Sequence, residues 1–120
     1  MLEAIKLLCK ECYEASVRGG WWHNPETNEP LARNKGEMIA LIHSEVSEML
    51  EGVRKGLPDE HLPEFTSEEV ECADALIRIF DYAGGFNLRV GEALVAKLRY
   101  NATRADHKPE NRVKPGGKDF

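Results

Sequence analysis

The residues of this 120-residue chain best able to do chemistry lie in two short acidic phrases, Glu45-Val-Ser-Glu48 and Glu71-Cys-Ala-Asp74. Residues three apart on a helix share a face, so each phrase sets two carboxylates side by side. Like charges at that spacing repel unless something positive sits between them. Two such pairs on neighbouring helices would place four carboxylates around one point. Hard divalent cations take oxygen ligands of this kind, and Mg²⁺ usually keeps waters and substrate phosphates in its shell. Such a centre polarises a phosphoryl group and lowers the pKa of a bound water, so that the water attacks at neutral pH. A further set, Lys97, Asn101 and Arg104, has the spacing to supply donors to the non-transferred phosphates. The plain alternative for each set is solvated helix decoration. It is weakest for Glu71 and Asp74, whose surroundings are otherwise apolar.

The elements that must position these residues are helices. Leu2, Ile5, Leu8, Cys9 and Cys12 recur at helical spacing, which predicts a first helix over 2–18, stopped by Gly19-Gly20. A loop rich in turn formers follows, carrying Trp21 and Trp22. Adjacent residues do not easily face one core, so at least one tryptophan is expected to be partly exposed or to cover a cleft. Met38, Ile39, Ile42, Val46, Met49, Leu50 and Val53 form the stripe of a second helix over 35–55, with Gly56 and Pro58 beyond it. Glu45 lies at the edge of that stripe, Glu48 further round and Glu51 almost opposite; His43, at the other edge, is expected to be packed. Thr66 or Ser67 caps a third helix over 67–83, stopped by Gly84-Gly85. That helix reads as apolar round most of its circumference, with Glu71, Asp74, Arg78 and Asp81 on one strip. Three acids beside one arginine leave a charge imbalance that a metal would settle. Asn87 is placed to cap a fourth helix over 88–104, and residues 105–120 form an extended arm. The expected architecture is one domain, all-α, a four-helix bundle.

Composition narrows the function. A net charge of −5 lacks the basic footprint that long nucleic acid requires, although a nucleotide remains compatible. Cys9-Lys-Glu-Cys12 has no second CxxC or histidine pair to complete a zinc site, so both cysteines are expected to pack on a helix face. No apolar run reaches the ~20 residues of a membrane span, and no charged-then-apolar leader is visible, which together suggest a reduced cytoplasmic setting. Glu-x-x-His pairs of di-iron bundles, adjacent His-Asp pairs, Walker-type loops and GxGxxG loops are all absent from the sequence. A core this small gains from oligomerisation.

Glu45-x-x-Glu48, a spacer, Glu71-x-x-Asp74, and then Lys97-x-x-x-Asn101-x-x-Arg104 resemble the MazG-like branch of the all-α nucleoside triphosphate pyrophosphatases, over about residues 35–107. The resemblance implies hydrolysis of a (deoxy)nucleoside triphosphate between the α and β phosphates, giving the monophosphate and pyrophosphate. It assigns Glu45, Glu48, Glu71 and Asp74 to catalysis and to Mg²⁺, with Mn²⁺ as a substitute. Lys97, Asn101 and Arg104 are assigned to phosphate or sugar, Trp22 to the wall of the base pocket, and Lys35, where the family's spacing varies, to the substrate. A homodimer or homotetramer with shared sites follows from the same resemblance. It is closest to short, single-domain, often phage-borne members, some acting on guanine nucleotides, which implies a purine substrate and a cytoplasmic location, the host's if phage-encoded. Two readings compete: a silent helical module that binds a nucleotide or protein, and a purely structural oligomerisation module with its acids paired to Arg78 and to lysines of a neighbour.

Overall fold

The computed structural model describes residues 1–104, 106 and 108–118. Among them the chain is all-α, with α1 Leu2–Arg18, α2 Lys35–Lys55, α3 Ser67–Gly85, α4 Val90–Thr103 and the single turn α5 Pro109–Arg112. Extended pairing among these residues is limited to two isolated bridges, His23 with Pro30 and Pro58 with Thr66. The chain divides into two compact units, Leu7–Leu88 and Met1–Lys6 with Arg89–Phe120.

In the Leu7–Leu88 unit, α2 and α3 form an antiparallel pair. Asn34 opens α2 by accepting the Glu37 amide at 3.0 Å, and Thr66 opens α3 by accepting the Glu69 amide at 3.0 Å. Gly56, left-handed at φ 63, closes α2 by donating its N–H to the Gly52 carbonyl. In the connection between them, Asp59 Oδ2 accepts from both the His61 and Leu62 amides. Gly52 lets the start of α3 come close: a Cβ there would stand 2.9 Å from the Glu68 amide nitrogen.

Gly84 and Gly85 do not stop α3, which runs through both to Gly85. Their lack of a side chain serves packing instead. A Cβ on Gly84 would lie 2.7 Å from Tyr13 Cβ and 2.8 Å from the Cys9 carbonyl, and one on Gly85 would overlap the Trp22 ring. Asn87 likewise does not cap α4. It takes a left-handed φ of 54 and, with Leu88, turns its amide back onto the end of α3. Asparagine tolerates that conformation better than most residues, so the chain spends Asn87 on ending α3, and α4 starts at Val90 with no side-chain cap.

The buried apolar side chains among the described residues are Ile5, Trp22, Met38, Ala75 and Ala83. Trp22 is the largest of them. It meets Tyr13 at 5.5 Å and Phe86 at 5.3 Å between ring centroids, and Phe86 meets Tyr82 at 4.9 Å. The expectation that α3 is buried nearly all round is not met. It is covered on its Ala75 and Ala83 side, while Cys72, Leu76 and Ile77 are exposed. His43 is exposed rather than packed, and Ile39, Val46, Leu50 and Val53 of the α2 stripe are exposed with it.

In the other unit, Gly91 of α4 lies against Leu2 and Ile5, where a Cβ would stand 3.0 Å from Leu2 Cδ1. The arm is not wholly extended: Pro109 starts the one turn of α5, a position that suits proline because no helical N–H is needed there.

Candidate functional site

The α2–α3 pairing decides which acids meet. Glu45 on α2 faces Glu71 and Asp74 on α3, and one carboxylate oxygen of each lies within 4.8 Å of the others. Arg78, one turn beyond Asp74, donates from Nε to Glu45 Oε1 at 2.9 Å. The Glu45 side chain is only 14% exposed and Arg78 is half-open at 41%, so this ion pair is partly sheltered.

One guanidinium does not offset three carboxylates. A hydrogen bond shared with Glu45, then desolvation, then the charges of Glu45, Asp74 and Glu48, push Glu71 up to about 7. Desolvation and the Glu45 charge also raise Asp74, against a lowering by Arg78. Crowding of the three carboxylates thus favours a proton on Glu71 up to near neutral pH. Its donors are all carboxylate oxygens drawn from two helices, which is the chemistry a hard divalent ion requires. The residues fit such an ion.

Glu48, the fourth expected ligand, is exposed and stands outside the three-oxygen cluster. It lines a neighbouring cavity of about 350 Å³ together with Glu71, Glu51, Lys55 and His61. Glu51 pairs there with Arg54 at 3.0 Å and Lys55 at 3.6 Å, and so is not simply solvated. On the other side of the cluster, Glu45 and Asp74 line a cavity of about 530 Å³ with Trp21, Arg33, Arg78 and Asp81. The acidic cluster thus has carboxylates in both cavities.

The two tryptophans divide as adjacency requires. Trp22 is 8% exposed, with its Nε1 donating to Asp81 Oδ1 at 2.7 Å, and so belongs to the core; Trp21 is 64% exposed and lines the larger cavity. Of the two, Trp21 and not Trp22 lines that cavity. Asp81, counted among the uncompensated acids, is the partner of that buried indole. Lys35 is exposed, its Nζ 4.7 Å from the Phe86 ring centroid.

Lys97, Asn101 and Arg104 belong to the other unit. Lys97 Nζ lies 4.8 Å and Arg104 Cζ 5.6 Å from the Tyr100 ring centroid. Arg104 also pairs with Asp106 at 2.6 Å, which holds its guanidinium firmly charged. Asn101 Oδ1 is buried with no hydrogen-bond partner among the described residues.

Comparison with protein families, with curated proteins and with solved structures found no match.

That Arg33 and Trp21 line the same cavity was not legible in the sequence. Both sit in a loop without periodicity, and only the Trp-Trp adjacency signalled that one ring had to lie outside the core.

Proposed function

We propose that the protein is a divalent-metal-dependent nucleoside triphosphate pyrophosphohydrolase. The observation that carries this reading is the convergence of Glu45, Glu71 and Asp74 from two helices beside a cavity with an aromatic wall and two arginines. In this reading Glu45, Glu71 and Asp74 hold Mg²⁺, or Mn²⁺ in its place, with Glu48 joining from the adjacent cavity. The metal supplies Lewis-acid polarisation of the phosphoryl oxygens and a more acidic water. Water attacks the α phosphorus, the bond to the α–β bridging oxygen breaks, and pyrophosphate leaves with that oxygen. A clustered carboxylate orients the water and accepts its proton. Trp21 stacks on the base. The resemblance assigns Lys35, Lys97, Asn101 and Arg104 to the substrate as well.

The same reading includes a homodimer or homotetramer, supported by the exposed apolar residues of α2 and α3, and a cytoplasmic location, with all three cysteines free. No helix among the described residues is long and apolar enough to cross a membrane.

A second reading, a purely structural oligomerisation module, is favoured by one observation: Arg78 already partners Glu45. A pyrophosphate-release assay on the eight common NTPs and dNTPs, with Mg²⁺ and with EDTA, separates the two. We expect EDTA-sensitive release of pyrophosphate with the matching monophosphate, most rapidly from a purine nucleotide. No release from any of the eight would reject the enzyme reading for these substrates.

A further inference from the structure

Glu45 serves two partners. It is the one residue that α2 contributes to the three-carboxylate cluster, and its Oε1 also accepts from Arg78 Nε at 2.9 Å. Among the described residues this is the only ion pair joining α2 to α3. On α3, Asp74 stands one turn before Arg78 and Asp81 one turn after, so the three side chains share a face. The charge of Arg78 reaches Asp74 as well, opposing the rise that desolvation and Glu45 impose there. The ion pair is sheltered on the Glu45 side only. Arg78 is half-open and lines the cavity of about 530 Å³ together with Asp81 and Arg33. A smaller cavity, lined by Arg33, Met38, Leu41, Arg78 and Asp81, adjoins the same guanidinium. There is thus room for the Arg78 head group to swing from Glu45 toward Asp81.

A divalent ion bound by Glu45, Glu71 and Asp74 and a guanidinium bound by Glu45 are like charges drawn to one carboxylate. In a half-buried site their repulsion is poorly screened. A guanidinium does not lose its proton, so the conflict is relieved only by movement. We propose that Arg78 is a metal-displaced latch: it ties α3 to Glu45 until a divalent cation takes that carboxylate, and then turns into the larger cavity toward Asp81. This role for Arg78 rests on the metal reading above and concerns how the cation enters, whereas pyrophosphate release concerns what the loaded site does. The latch holds cation affinity below what the three carboxylates alone would give. It also adds a donor to the cavity only when the cation is in place.

The first test uses the wild-type chain. In proton–nitrogen correlation spectra of the arginine Nε–H groups, the Arg78 signal, assigned by its loss in Arg78→Lys, should be protected from water exchange in EDTA. Saturating Mg²⁺ should shift that signal and remove the protection. Calorimetry with Mn²⁺ at fixed pH then compares the wild type with Arg78→Met and Arg33→Met. Arg33 is the charge control, because it lines the same cavity and no carboxylate among the described residues forms an ion pair with it. Arg78→Met should bind Mn²⁺ about tenfold tighter, within the range typical of coupled sites. Arg33→Met should change the affinity by less than about twofold, as a screened charge does. By linkage, Arg78→Met should melt below the wild type in EDTA and level with it in saturating Mg²⁺. An Arg78 signal unmoved by bound Mg²⁺, equal Mn²⁺ affinity in the wild type and Arg78→Met, or equal tightening in Arg33→Met would each overturn the latch and leave the metal site standing. The wild-type spectrum decides the matter if Arg78→Met does not fold. Absence of cation binding in all three proteins would overturn the latch and the metal reading together. Tighter Mn²⁺ binding in Arg78→Met, with the spectral change in the wild type but no hydrolysis of any nucleotide, would keep the latch and reject the enzyme.

Discussion

Glu71 shows how much a single residue is governed by its neighbours. Its carboxyl moves from an ordinary value of 4.5 to about 7, chiefly through the hydrogen bond with Glu45. Between those values the folded chain keeps a proton that the unfolded chain has lost. The stability this group contributes is therefore complete below about 4.5 and is lost as pH rises through about 7. In EDTA, the melting temperature should fall between pH 5 and pH 8, and Glu71→Gln should flatten that decline. Thermal scans in a pH series check this, and parallel slopes for both proteins would remove the shared-proton account. Because a cation must displace the proton, Mg²⁺ should stabilise the wild type more at pH 8 than at pH 6. On the enzyme reading, Asp74→Asn should lower turnover by about a hundredfold or more, while leaving the fold as stable as the wild type or more so, since it removes one of three clustered charges. Full activity in a folded Asp74→Asn would count directly against a carboxylate-held metal.

At the scale of elements, glycine spacing in α3 is a packing device. Alanine at an ordinary helical glycine gains up to ~1 kcal/mol. At Gly85 the added methyl would overlap the Trp22 ring, so Gly85→Ala should instead destabilise by about 1–3 kcal/mol, as overpacking does. Chemical denaturation reads this directly, and a gain in stability would show that Trp22 moves aside at little cost. Trp22→Ala should cost about 3–5 kcal/mol, in line with deletion of a buried aromatic, because the ring fills the junction of α1, α3 and the loop. These two variants separate a core role for Trp22 from the ligand-wall role the sequence suggested: a stable Trp22→Ala with weakened nucleotide binding would restore the latter. The boundaries of α1 and α2 were legible from periodicity, because Gly19-Gly20 and Gly56 terminate helices whose stripes end there. The ends of α3 and α4 were not. A glycine pair reads equally well as a stop or as a close helix contact, and only the position of Tyr13 and Trp22 tells which.

For the molecule as a whole, the balance between buried and exposed apolar residues matters most. Few large side chains are buried, while Ile39, Val46, Leu50, Val53, Leu76 and Ile77 on α2 and α3 remain open, Leu50 at 62%. Exposed apolar side chains in such number suit an interaction site, and a second copy of the chain is the partner the oligomer reading names. Light scattering should give a mass at least twice the 13.5 kDa of one chain, and Leu50→Lys with Ile77→Lys should lower it. A monomer at all concentrations would reject the oligomer.

By itself, the sequence determined the all-α class and the helices on which the two acidic pairs stand, because helical period and capping are local properties. It also limited the two adjacent tryptophans to one in the core. Tertiary structure alone decided which carboxylates converge, since that depends on the register of α2 against α3. That register brings Glu45 to Glu71, Asp74 and Arg78 and leaves Glu48 outside. It also decided that Trp22 is the buried ring, because Asp81 accepts its indole N–H and Gly85 leaves space for the ring.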